Sequence, residues 1–175
     1  MLADVMQPGI WDYTPAPVRE YVQSPLRTAR PRMLVDVGAA SGAIALDWCA
    51  GAPDRAAIAI EPAREPRALL AANIRRNGAD VRVIGERFAL DHLPAEPVWI
   101  WLGCISFISI ALIDDLCVHP GVAGIMSSHH RSSAPMPFLH LLAKAALKTN
   151  VVKIPVAHAP TRTVLCAVPR RGLNP

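Results

Sequence analysis

The chain is short of charge: Asp, Glu, Lys and Arg make up 18% of its 175 residues, against 52% hydrophobic. That balance excludes a disordered or heavily solvated polypeptide and implies a sizeable core or a subunit interface, with a homo-oligomer as the expected state. Paired cysteine spacing is also missing. Cys49, Cys104, Cys117 and Cys166 stand singly within or beside apolar residues, which argues against a zinc site and reads as reduced core thiols. There is no run of basic residues; the net charge of +4 and pI near 9.2 come from scattered arginines. Such a charge suits an acidic ligand weakly and on charge alone leaves nucleic acid possible, though an unlikely partner for want of a base-holding motif after strand four. No secretory pattern is seen, since Asp4 comes early and no apolar block precedes Pro8, so the expected compartment is the cytoplasm. Internal repeats and low-complexity tracts are absent. A chain of this length is one domain by the usual prior, able to bury roughly 70% of the surface its unfolded form exposes.

A membrane-length apolar run is lacking as well. Residues Pro97 to Ile113 carry no charge, but the stretch is too short for a confident span, Gly103 interrupts it and Asp114 and Asp115 close it. It parses better as a fourth strand, a loop at Gly103 and Cys104, and a helix apolar on nearly every side that is buried twice over or sits at a subunit interface.

What is present is organised around Met33 to Trp48: a short apolar strand, a turn of small residues from Gly38 to Gly42, then a helical pattern. Gly, Ala and Ser leave the backbone open to a ligand, and the free N–H groups of a helix start favour a negative or oxygen-rich group. As a dinucleotide fingerprint the loop is degenerate, offering Gly38, Ala40 and Ala43 where three glycines are wanted. Read as acid-x-Gly-x-x-x-Gly, it supplies Asp36, Gly38 and Gly42 and resembles motif I of the class I S-adenosylmethionine (SAM) methyltransferases. A carboxylate at Asp36 is costly to bury without a positive partner. SAM supplies one through its ammonium and sulfonium groups; a plain strand-to-helix turn with Asp36 capping the helix is the other reading. A second buried strand, Ala56 to Ile60, ends at Glu61, where an acid can accept both hydroxyls of a ribose. Alone, Glu61 reads equally well as a charge favoured by a helix dipole before Pro62.

Residues 1–32 are proline-rich and aperiodic apart from a short helical stretch near Val18 to Leu26, and read as an arm or lid ahead of a domain over 33–175. Arg64 to Asn77 reads as a helix with Leu69, Leu70 and Ile74 inward and Arg67, Arg75 and Arg76 outward. Strand three, Val81 to Ile84, leads into Gly85-Glu-Arg-Phe, which reads equally well as a simple turn or as a place where Arg87 and Phe88 offer a polar side chain and an apolar face to an adenine. Strand five, Val122 to Met126, runs into Ser127-Ser-His-His-Arg. His129 and His130 are poor joint metal ligands, because adjacent residues diverge, and contact with substrate is the better role. Pro137 to Lys148 reads as a surface helix. Val151 to Val156 and Thr163 to Val168, linked around Ala159-Pro-Thr, read as an antiparallel pair closing an otherwise parallel sheet. The expected fold is therefore α/β, Rossmann-like, with seven strands, mostly parallel, and an antiparallel hairpin at the carboxyl end.

Beyond motif I, the chain resembles the decarboxylating precorrin C15-methyltransferases of cobalamin biosynthesis, found as small separate proteins and as the carboxyl-terminal part of precorrin-6Y C5,15-methyltransferases. The residues carrying the likeness are Pro8-Gly-Ile-Trp-Asp, Asp36-Val-Gly-Ala-Ala-Ser-Gly-Ala-Ile-Ala-Leu-Asp-Trp, Ala57-Ile-Ala-Ile-Glu, Asn73 in its helix, and Leu93-Pro-Ala-Glu-Pro. The resemblance implies SAM as cofactor, held around Asp36, Gly38, Ala40, Ser41, Gly42, Glu61 and Arg87, and a polycarboxylated tetrapyrrole as substrate. Trp11, Gly103, Arg131 and Arg162 are then the candidate substrate contacts, and His129 or His130 the candidate proton donors. Two loops depart from the family pattern: Trp101-Leu-Gly-Cys stands where an Ile-Gly-Gly turn is usual, and Pro160-Thr-Arg where a glycine pair is usual. Both put bulk where a macrocycle should approach. Two other readings stay open on sequence: a SAM-binding relative without catalysis that serves as a partner subunit, and an RNA methyltransferase. The latter is weakened by the lack of an Asn/Asp-Pro-Pro-aromatic signature after strand four.

Overall fold

The computed structural model of the chain describes residues 17–20, 31–103, 109–129, 147–156 and 159–169. In chain order the elements are β1 (Met33–Val37), α1 (Ala43–Ala50), β2 (Ala56–Ile60), α2 (Arg64–Asn77), β3 (Val81–Ile84), a 3-10 turn (Leu90–His92), β4 (Val98–Leu102), α3 (Ile110–Val118), β5 (Val122–His129), β6 (Leu147–Val156) and β7 (Ala159–Pro169). They form one seven-stranded sheet in the order β3-β2-β1-β4-β5-β7-β6. Strands β1 to β5 run parallel, and β7 runs antiparallel to both β5 and β6.

The strands are apolar on both faces because helices cover both, as a parallel sheet requires. One face gathers Val35, Val37, Ile58, Ile60, Ile100, Leu102 and Ile125 against Ile113, Leu116 and Cys117 of α3. On the other, Leu34, Ala57, Ala59, Trp99, Trp101 and Met126 meet Ile44, Ala45 and Trp48 of α1 and Leu70 of α2. The two alanines of β2 leave room on that face. Trp48 locks the base of the layer: its indole N–H donates to the carbonyls of Arg32 (3.1 Å) and Ala56 (3.0 Å), and the Arg55 guanidinium lies 4.3 Å from its ring centre.

Residues 17–20 form a helical turn that docks on the same layer. Val18 is fully buried there, and the Arg19 guanidinium pairs with Asp47 of α1 at 2.6 Å. Residues 1–16 and 21–30 of the arm lie outside the described residues.

Several expectations are corrected. The helix after β4 is Ile110–Val118, and Asp114 and Asp115, which end the uncharged stretch, lie within it. It is two-sided: Ile113 and Leu116 are buried while Val118 is 71% exposed. Among the described residues no helix is long and apolar enough to cross a membrane. Ser127, Ser128 and His129 extend β5 instead of forming a loop. Lys148 belongs to β6, which begins at Leu147, so the helix expected over Pro137 to Lys148 does not reach that residue; 137–146 lie outside the described residues. Ala159, Pro160 and Thr161 are strand residues of β7, not the link before it. For β5, β6 and β7, strand pairing across the sheet overrode a local pattern too short to fix its own boundaries.

Candidate functional site

From β1 the chain moves outward through β2 to β3 on one side and through β4 to β5 on the other, so the strand order reverses between β1 and β4. In sheets of this kind the crevice outside the carboxyl ends of the strands at that reversal is where ligands bind. The turn from Gly38 to Gly42 sits there.

The turn is held open by its backbone. Gly38 and Gly42 have φ of 76° and 87°, and Ala40 has φ of 48°. At Ala40 the left-handed region costs a residue with a Cβ about 1–2 kcal/mol. The N–H groups of Gly38 and Ala39 both donate to the Ile60 carbonyl, at 2.9 and 3.1 Å, and Gly42 donates to Ala39 at 2.7 Å. From α2, the buried Asn73 amide donates to the Ser41 carbonyl at 3.0 Å, which fixes the far side of the turn. A side chain at Gly42 would need Leu70 to move, since a Cβ there would lie 2.4 Å from Leu70 Cδ1, and would be strained at a φ of 87°.

The two acids take different places. Asp36 is 1% exposed and its Oδ2 accepts the Ala45 N–H at 3.2 Å, so it caps α1 from the strand below while Gly42 has no side chain with which to do so. Burial drives its pKa up to about 7, the Ala45 hydrogen bond opposing and the charge of Glu61 adding to the rise. Glu61 lies at the mouth of the turn. Its Oε2 accepts the Ala40 N–H and its Oε1 the Ala63 N–H, both at 2.9 Å. A carboxylate has about four acceptor positions, so each oxygen keeps one free for a hydroxyl. The arrangement fits a ribose: an acid pinned by backbone donors, beside a turn of glycines with only small side chains between them, Ala39 and Ser41 buried.

Gly103 closes the opposite wall. Its N–H donates to the Val37 carbonyl at 2.9 Å, and a Cβ on it would come within 2.9 Å of the Gly38 carbonyl. Gly103 therefore packs directly on the turn after β1. The neighbouring Trp101 and Leu102, expected to add bulk at this edge, are 1% and 0% exposed and belong to opposite faces of the sheet. Their bulk fills the core, leaving the rim to Gly103.

Arg87 is exposed on the loop after β3. His129 ends β5 and pairs with Thr163 of β7, and Arg162 pairs with Ile154 of β6, so both stand at the same end of the sheet as Gly38. Trp11, His130 and Arg131 lie outside the described residues. One residue escaped the sequence reading. Arg67, expected to point outward, instead turns back over the carboxyl ends of β2 and β3, where its Nη1 donates to the carbonyls of Glu61, Pro62 and Gly85. A cation near the start of a helix works against the dipole, but Arg64 stands closer to that start and is exposed, so the sequence did not single out Arg67.

A doubly wound sheet closed by an antiparallel hairpin, with an acid at the end of β2 tied to a bare turn after β1, defines a class I methyltransferase. A profile of the precorrin methyltransferase domain matches residues 12–106, more than half of the chain, and the chain belongs to that family. Among solved structures it is similar to precorrin-6Y C5,15-methyltransferase from Geobacter metallireducens GS-15, at 18% identity over 86% of this chain and 88% of that one, with a TM-score of 0.70. It is also similar to the C-terminal domain of the Rhodobacter capsulatus precorrin-6Y C5,15-methyltransferase, at 22% identity over 90% and 92% of the two chains, with a TM-score of 0.69. The N-terminal domain of human METTL16 in complex with SAH shares the fold at 13% identity, over 85% of this chain and 65% of that one, with a TM-score of 0.61. A search of curated protein sequences finds no match.

Proposed function

We propose that this chain is a SAM-dependent C-methyltransferase acting on a precorrin, a polycarboxylated tetrapyrrole of cobalamin biosynthesis, and that it carries the C15 methylation and acetate decarboxylation of its family. The observation that supports this most is the Ala40 N–H to Glu61 bond at 2.9 Å. It ties the turn after β1 to the acid after β2, in a chain whose family is that of precorrin methyltransferases.

Bound SAM supplies an electrophilic methyl group on a sulfonium. The protein's part is alignment and exclusion of water. Glu61 takes the ribose hydroxyls, and the turn from Gly38 to Gly42 lets the rest of the cofactor approach the backbone. Gly103 sets the wall past which a carbon of the substrate meets the methyl group. Such alignment is worth several kcal/mol, up to about 7–11, and no nucleophilic side chain is needed. His129 and His130 are the candidates for returning a proton to the substrate after carboxyl loss, and Arg131 and Arg162 for holding its carboxylates.

Incubation with SAM and a precorrin-type tetrapyrrole, followed by mass spectrometry, is expected to show one methyl gained and one carbon dioxide lost. Methyl gain without carbon dioxide loss would remove the decarboxylating part of the proposal. Binding of S-adenosylhomocysteine with no transfer to any such substrate would favour the partner-subunit reading instead.

A further inference from the structure

The last ladder contact between β2 and β3 is at Ile60 and Ile84, and the Glu61 N–H donates to the Ile84 carbonyl at 3.0 Å just beyond it. Past that point the two strands separate into Glu61-Pro62 on one side and the Gly85 loop on the other. The carbonyls of Glu61, Pro62 and Gly85 all converge on one nitrogen, Arg67 Nη1, at 3.0, 2.7 and 3.2 Å. Three carbonyl oxygens aimed at one point repel one another unless a cation stands between them, and hydrogen bonds from a charged donor are among the stronger ones. Gly85 is matched to this use: a Cβ there would lie 3.1 Å from the Arg67 guanidinium carbon and 3.2 Å from its Nε and Nη1. Arg67 and Gly85 thus fit as a pair, one spanning the gap and the other leaving room for it.

The geometry points to Arg67 as a positioning residue for cofactor binding: by tying the Glu61 and Gly85 carbonyls together, it sets the distance between the ribose acid and the loop that faces the adenine. This rests on the reading of the site as a SAM pocket. Glu61 is held by Ala40 and Ala63 through its side chain and by Arg67 through its backbone. Without the guanidinium, the loop from Gly85 to Phe88 loses its tether to Glu61, and the two halves of the nucleoside site are no longer in register.

The test is calorimetric titration of S-adenosylhomocysteine into the full chain and its variants. Arg67→Ala is expected to weaken binding by about tenfold or more, as loss of a charged hydrogen-bond donor does. Millimolar guanidinium chloride, too dilute to unfold the chain, should restore most of the lost affinity in this variant, whereas sodium chloride at the same concentration should not. A merely structural arginine would show no such selective rescue. Gly85→Ala crowds the guanidinium while leaving it in place. It should weaken binding by a few-fold on its own and add nothing in the Arg67→Ala background, because both changes disturb one contact. If Arg67→Ala does not fold, Gly85→Ala carries the test alone, and unchanged affinity in it overturns the inference. Wild-type binding together with an Arg67→Ala variant within about twofold of it, or without guanidinium rescue, also overturns the inference while leaving the cofactor reading intact. No binding by the wild type overturns both.

Discussion

Two single residues carry opposite burdens at the same turn. Ala40 sits at a φ of 48°, where glycine is at ease and alanine is strained. Ala40→Gly should relieve about 1–2 kcal/mol of strain and lose part of it to the greater freedom of the unfolded chain, a net gain of about 0.5–1 kcal/mol. Thermal unfolding should show a melting temperature a few degrees higher. An unchanged or lower value would mean that the Ala40 N–H to Glu61 bond already absorbs the strain. Burial holds the Asp36 carboxyl at a pKa of about 7, raised from its ordinary value of 3.8. Because the folded state binds this proton more tightly than the unfolded chain does, the proton's contribution to stability is complete below the unfolded value and is lost as pH climbs through the folded one. Denaturant titrations of wild type against Asp36→Asn at about pH 4 and about pH 8 should therefore diverge, wild type losing on the order of 3–4 kcal/mol more than the variant. Parallel pH profiles would show that Asp36 is not the group responsible. The sequence showed both acids and the spacing that joins them. It could not show which of them faces a ligand, because the direction of Asp36 depends on where the start of α1 lies, and only the fold sets that.

At the scale of elements, the site depends on how closely α1 and α2 approach, and Gly42 and Leu70 are where they touch. A Cβ on Gly42 would lie 2.4 Å from Leu70 Cδ1, and φ at Gly42 is 87°. Gly42→Ala therefore combines a clash with backbone strain and is expected to cost about 2–4 kcal/mol. Leu70→Ala empties a fully buried position of the same layer, for about 2–5 kcal/mol. The double variant should cost clearly less than the sum, because the shortened residue 70 admits the new methyl group. Additive losses in urea unfolding would show that the helices do not share this contact. Element types were legible wherever the apolar period was long or bounded by glycine: β1, β2, α2 and β3 fall at their expected limits, with Gly78 in the left-handed conformation ending α2. Boundaries failed where the pattern was uniformly apolar, as before α3, or where pairing with β7 carried β5 as far as His129. Arg67 was missed for a related reason. Helical periodicity sorts residues by face, and a first-turn side chain can leave its face by reaching past the helix start.

For the molecule as a whole, the sheet order lays the site out along one rim. Glu61 follows β2, the bare turn follows β1, Gly103 follows β4, His129 ends β5, and Arg162 lies near the start of β7. Four strand spacings separate the first from the last, about 19 Å, which is room for a nucleoside on the β1–β2 half and an extended substrate on the β4–β7 half. The chemistry divides in the same way. The cofactor half is built from backbone donors and a pinned acid, while on the proposed reading Arg162 and His129, placed on the strands of the other half, serve the carboxylates of the substrate. Substitution at the far end should then leave the near end untouched. Arg162→Glu is expected to raise KM for the tetrapyrrole about tenfold or more, by setting like charge against its carboxylates, with S-adenosylhomocysteine affinity and kcat close to wild type. The wild-type KM should also rise with ionic strength, and that dependence should weaken in the variant. An equal loss of cofactor affinity in Arg162→Glu would show that the two halves are not separate, and the rim would have to be read as one pocket for a single smaller ligand.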